Sequence, residues 1–181
     1  MANSMEILPI VDTDGRVLGS APRTECHNGK TFLMHPVVHL HIYNPKKGLL
    51  LQKRSRKKKI QPGKWDTAVG GHVDFGESIP EALKREVSEE IGIAIPDNTS
   101  LIKVYEFRSA VECELIYCHV ALINDNIEFS ISEPDDIDEL KFISLSDISD
   151  VTSEHFTPNF VHEYKEIILP HILSHDFSEY K

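Results

Sequence analysis

The stretch GHVDFGESIPEALKREVSEEIGI, Gly71–Ile93, decides how this chain is read. Ser78 is a helix N-cap, and Glu81 follows three residues later as a capping box requires. Pro80 stands in the first turn, where a missing N–H is tolerated. The helix runs to about Glu90–Ile91 and stops at Gly92, because glycine takes the left-handed backbone that closes a helix. Ile79, Leu83, Val87 and Ile91, four apart, form its buried stripe. Glu86, Glu89 and Glu90 are three and four apart, so their carboxylates share one face. Taken alone, such a cluster reads as a solvated acidic surface. Beside the Gly70-Gly71 turn, the same oxygens also suit hard cations such as Mg²⁺ or Mn²⁺. Glu77, one turn earlier, is placed to pair with Arg85, eight residues on, and brace the loop against the helix.

Outward from this segment the chain alternates strands and turns. Met5–Leu8 and Gly15–Gly19 flank Asp12-Thr-Asp-Gly15 as two short strands around a tight turn. In Pro36–Tyr43, Val38, Leu40 and Ile42 share one face of a strand, with His39, His41 and Tyr43 on the other. Leu49–Arg54 is its hairpin partner. Trp65–Val73 reads as a strand running into the Gly-Gly turn, with Trp65 in the core and Asp66 exposed beside it. Further strands are expected at Leu101–Arg108, Leu115–Asn124 and Leu140–Ser144, and an amphipathic helix at Phe160–Leu169, closed by Pro170. Strands mixed with helices in this order indicate an α/β fold with a mixed sheet between helices.

The 181 residues are 40% hydrophobic and 27% charged, ordinary for one soluble domain spanning residues 1–181. A net charge of −10 argues against nonspecific nucleic-acid binding. It leaves room for a small phosphorylated ligand, because a bound metal supplies local positive charge. No apolar run is long enough to span a membrane, and Met1–Ile10 does not read as a secretory signal. Cys26, Cys113 and Cys118 have no metal-ligand spacing and read as reduced thiols of a cytoplasmic protein.

Gly71, Glu77, Arg85, Glu86, Val87, Glu89, Glu90, Gly92 and Ile93 together resemble the signature of the Nudix family, with every position filled. That resemblance implies an α/β/α sandwich with a catalytic loop-helix, Nudix box 71–93; separately, the residue pattern leads to the expectation of a C-terminal helix near 158–172. The resemblance also implies metal-dependent hydrolysis of a nucleoside diphosphate derivative or related organic diphosphate. Carried over, Glu86, Glu89, Glu90 and the backbone carbonyl of Gly70 would hold Mg²⁺ or Mn²⁺, while Glu77 and Arg85 would be structural. The cations would neutralise the diphosphate and lower the pKa of a bound water. The general base is left open among Glu86, Glu89, Glu90 and an acid from elsewhere, with Glu114 a candidate.

A narrower resemblance, over roughly Ile7 to Ile123, is to the isopentenyl-diphosphate isomerase-like branch. Its markers include Cys26-His27, Met34-His35, Pro62-Gly63-Lys64-Trp65, Gly71-His72 and Glu112-Cys113-Glu114. In true isomerases the matching histidines and glutamates build a metal site, with a catalytic cysteine just before the Gly-His pair. Here His27, His35, His72, Glu112 and Glu114 are the candidate ligands of a second metal or substrate-contact site. Imidazoles there would favour Zn²⁺ or Mn²⁺; the alternative is ordinary structural histidines. Glu112 and Glu114 alternate on one strand face, so both can point the same way. Gly70 occupies the cysteine's position and supplies no proton. The reading is therefore a hydrolase on an isomerase-like scaffold, with an isomerase and a noncatalytic ligand sensor as the alternatives.

Lys53 and Arg54 open a basic run, Lys53–Lys59, that contacts substrate phosphates or is simply a solvated loop. His39, His41 and Tyr43 line the substrate pocket or the surface of a homodimer. Glu133–Glu139 reads as a solvated acidic loop, with the family resemblance offering an extra catalytic acid there as the alternative. His155–Asn159 is a helix start capped by Thr157, with no chemistry assigned.

Overall fold

The computed structural model describes residues 6–124, 127–148 and 151–175. Residues 1–5, including Met5 of the first expected strand, lie outside them. An antiparallel pair opens the chain, β1 (Ile7–Val11) and β2 (Val17–Pro22), followed by one helical turn, α1 (Arg23–Cys26). The Asp12 carboxylate closes the β1–β2 turn by accepting from the N–H groups of Asp14 and Arg16.

The main sheet is built on β3 (His35–Asn44). It pairs with β4 (Gly48–Arg54), β6 (Val69–His72) and β8 (Cys113–Leu122). β5 (Trp65–Asp66) and β9 (Ile137–Ile143) flank β4, and β7 (Ser100–Arg108) flanks β8. Only β3–β8 is parallel among these pairings, so the sheet is mixed.

All ten residues of β3 are buried, because both faces are covered. Val38, Leu40 and Ile42 pack with Leu83, Val87 and Ile91 of α2 (Ile79–Ile91). On the opposite face, Tyr43, Leu49 and Leu51 pack with Phe160, Tyr164 and Ile168 of the C-terminal helix. The result is a helix–sheet–helix sandwich. It also removes the expected dimer surface at His41 and Tyr43: these side chains lie under the last helix and are covered within the chain.

Two elements differ from expectation. The Trp65–Val73 strand is interrupted at Thr67-Ala68, where the Thr67 hydroxyl donates to the Leu40 carbonyl (2.9 Å) and the chain crosses from β4 to β3. The final helix does not end at Pro170. It runs as α3 (Pro158–Glu163), a π-turn (Tyr164–Ile168) and α4 (Leu169–Ser174). Pro170 falls in the first turn after the π-turn resets the hydrogen-bond ladder, where its missing N–H is tolerated. Among the described residues no helix is long and apolar enough to cross a membrane.

Candidate active site

The β6–α2 loop brings the acidic helix face against the Gly70-Gly71 turn. Glu81 accepts from the backbone N–H and hydroxyl of Ser78 (2.9 and 2.6 Å), and Gly92 closes α2 with φ = 68°. With the helix ends fixed and its stripe buried, Glu86 lies directly on Gly71: a Cβ there would overlap the carboxyl carbon. Close approach, rather than unusual dihedrals, is what glycine permits here: a side chain would displace the Glu86 carboxylate. Glu90 is buried and accepts from the Gly70 N–H (3.0 Å) and the Gln52 amide (3.1 Å). Glu89 is half-exposed.

Arg85 ties the loop to the helix. Its Nε and Nη2 form a two-pronged pair with Glu77 (both 2.9 Å), and Nη2 also donates to the His72 carbonyl (2.9 Å). Its Nη1 reaches Glu86 (2.7 Å) and Glu89 (3.1 Å). Glu77 is held below the usual carboxylate range by that guanidinium. Burial pushes Glu86 up to about 7 despite Arg85, and burial together with the Glu86 charge pushes Glu90 up to about 8.

A second cluster adjoins the first. Parallel register sets His35 of β3 beside Glu114 of β8, while His72 ends β6 and His27 follows α1. One ligand atom from each of His27, His35, His72 and Glu114 lies within 4.8 Å of the others. His27 and His35 turn Nδ1 to backbone carbonyls (3.0 and 2.9 Å), and His72 turns Nδ1 to Glu6 (3.3 Å). Each Nε2 is thereby left facing the centre. The His35 Nε2 is buried with no hydrogen-bond partner. Burial lowers His35 to about 3 and His72 to about 4, keeping both rings neutral as metal ligands must be. Outward partners on the second nitrogen are the arrangement that orients imidazole ligands, so the donor set fits a divalent cation. Glu112 does not join it. It precedes β8 and accepts from the Ser109 hydroxyl (2.8 Å), and it lines the same cleft as Glu114 from outside the four-residue group.

Both clusters open into one cleft of about 450 Å³. Arg54 and His39 line it; Lys53 does not, and its ammonium sits 5.4 Å from the Trp65 ring centre. Asp66 is not exposed. It pairs with Arg54 (3.1 Å) and accepts from Thr157 (2.8 Å), and it lines the cleft. The basic run is tied to the acidic loop through Lys57–Asp135 (2.6 Å) and Lys58–Asp136 (2.7 Å), and Glu133 of that loop reaches the cleft. Asn159, from the segment given no chemistry, donates to Glu114 (3.3 Å). None of the three cysteines lines the cleft, and all are free and buried.

The NUDIX domain family profile matches residues 33–164. An isopentenyl-diphosphate Delta-isomerase of Corynebacterium glutamicum is 29% identical over 170 residues, 87% of this chain and 88% of that protein. The isopentenyl-diphosphate Delta-isomerase of Mycolicibacterium vanbaalenii is 31% identical over 107 residues, 59% of each chain. A solved MutT NUDIX hydrolase from Burkholderia pseudomallei superposes with a TM-score of 0.62 at 25% identity, over 75% of this chain and 98% of that one. The chain belongs to the Nudix family.

Proposed function

We propose that the protein is a divalent-metal-dependent hydrolase that cleaves the diphosphate linkage of a nucleoside diphosphate derivative or related organic diphosphate. The observation that carries this reading is the Glu86 carboxylate seated on Gly71 beside buried Glu90, at the floor of a cleft. Glu86, Glu89, Glu90 and the Gly70 carbonyl would hold Mg²⁺ or Mn²⁺, and His27, His35, His72 and Glu114 a second cation such as Zn²⁺ or Mn²⁺. When bound, the cations supply the positive charge that neutralises a diphosphate and makes water more acidic. Arg85 keeps Glu86 and Glu89 in place, and the Gly70 N–H and Gln52 hold Glu90. A carboxylate among Glu86, Glu89, Glu90 and Glu114 takes the proton from the attacking water.

The isomerase reading draws on the relatives' names and on the His27, His35, His72 and Glu114 cluster. Against it stand Gly70, which offers no thiol, and the absence of all three cysteines from the cleft. Incubation of nucleotide sugars, dinucleotides, oxidised nucleotides and prenyl diphosphates with Mg²⁺ or Mn²⁺, followed by ³¹P NMR, separates the readings. Cleavage of at least one compound supports hydrolysis. Interconversion of the two five-carbon prenyl diphosphates without cleavage would replace it by isomerisation.

The site also predicts how stability depends on pH. Glu86, Glu90 and Glu114 have folded pKa values raised to about 7, 8 and 7, each with burial as the leading cause. Such groups stabilise the fold fully below the unfolded carboxylate pKa, and that contribution is lost as pH rises through the folded values. His35 and His72, shifted the other way, act only below about pH 6.5. The metal-free melting temperature is therefore expected to fall between about pH 6.5 and 8 and to level off above the folded values. Saturating Mn²⁺ should raise it more at pH 8.5 than at pH 6.5, by scanning fluorimetry. An equal rise at both pH values would contradict a cation held by these carboxylates.

A further inference from the structure

Glu163 is a fully buried carboxylate on a helix face that otherwise carries Phe160, Tyr164 and Ile168. A charge there is costly unless paired and hydrogen-bonded, so its partners indicate its role. It accepts from His39 Nδ1 (2.9 Å), His41 Nε2 (2.7 Å) and the Tyr105 hydroxyl (2.9 Å). His41 is wholly buried and does not reach the cleft. His39 does reach it. Held at Nδ1, its ring presents the opposite edge to Gly70, where a Cβ would stand 3.2 Å from Cδ2 and 3.4 Å from Nε2. The missing side chain of Gly70 gives that edge its room. Among the described residues, Nε2 of His39 makes no hydrogen bond to protein, whereas Arg23, Arg54, Lys58 and Arg85 of the cleft are each paired with a carboxylate.

We propose that His39 is a substrate-binding residue whose Nε2–H donates to a diphosphate oxygen, with Glu163 a positioning residue that aims the ring through Nδ1. A carboxylate on Nδ1 favours the ring that carries protons on both nitrogens. The proposal rests on the diphosphate reading above and adds to it a ring on β3 aimed by a carboxylate from the last helix.

Calorimetric titration with methylenediphosphonate and Mg²⁺ tests it without turnover. His39→Phe should weaken binding about tenfold or more, the usual scale for a lost hydrogen bond to a charged group. His41→Phe loses an equivalent bond to the same carboxylate, so it should lower the melting temperature similarly yet bind within about twofold of the parent. His39→Gln, which returns an amide N–H, should recover part of the affinity. Unchanged binding by His39→Phe, or equal weakening by both phenylalanine variants, would overturn the proposal. If His39→Phe does not fold, the ¹⁵N shift of His39 Nε2 in the unaltered protein decides: movement on adding the probe supports contact, and no movement refutes it. No binding by the unaltered protein would overturn the diphosphate reading itself and this inference with it.

Discussion

Glutamine in place of Glu90 is expected to lower turnover by a factor of about 10² or more, as loss of a metal ligand or acid–base group does. In the same protein it should raise the melting temperature of the metal-free chain. Glu90 is buried, and its carboxyl is pushed from 4.5 to about 8 by burial and then by the charge of Glu86. Each pKa unit corresponds to about 1.4 kcal/mol, so ionising this side chain in the empty fold near pH 8 costs on the order of several kcal/mol. Glutamine removes that cost while keeping an oxygen for the Gly70 N–H and the Gln52 amide. A gain of several degrees follows, since about 1 kcal/mol moves a domain of this size by roughly 2–4 °C. A buried glutamate kept only for structure would behave in the opposite way, and a less stable yet fully active Glu90→Gln would remove it from the site.

Arg85→Met should produce the largest loss of stability among the site variants. The guanidinium contacts Glu77 through two nitrogens, and it also donates to the His72 carbonyl, Glu86 and Glu89. Methionine preserves the aliphatic stem but leaves the mostly buried Glu77 and Glu86 carboxylates without their cation. Removing one partner of a buried pair costs about 3–5 kcal/mol; with Arg85 itself 28% exposed, about 2–4 kcal/mol is expected in urea unfolding. Lysine should recover less than half of this, because one ammonium cannot reproduce the fork that reaches Glu77, the His72 carbonyl and the helix together. Full recovery by Arg85→Lys would mean that charge alone, and not the two-pronged geometry, holds the loop.

The loop-helix was legible because its information is local. Capping at Ser78, closure at Gly92 and the spacing of three glutamates are all set by neighbours within one helix. The histidine cluster was legible only through resemblance, since His27, His35, His72 and Glu114 meet by strand register. Glu112 lies just before β8, which begins at Cys113, and it lines the cleft with Glu114 without joining the four-residue group. The Glu163 network left a fainter trace. His39 and His41 are polar positions in a strand buried on both faces, and Glu163 falls in the apolar phase between Phe160 and Tyr164. Each implies a buried partner, but nothing local says that they are one another's, 124 and 122 residues apart. Asp66 was read as exposed because its cover, Arg54 and Thr157, likewise comes from distant segments. Pro170 was read as a helix stop because the π-turn before it has no simple residue pattern.

The most direct test of the central claim follows a cleaved diphosphate by ³¹P NMR in ¹⁸O-labelled water, after chelation and again after Mg²⁺ or Mn²⁺ is returned. No turnover is expected in chelator. On return of the metal, cleavage should place one ¹⁸O atom on a single phosphorus of the products. Cleavage that persists in chelator, or turnover that leaves the diphosphate intact and unlabelled, would contradict metal-dependent hydrolysis.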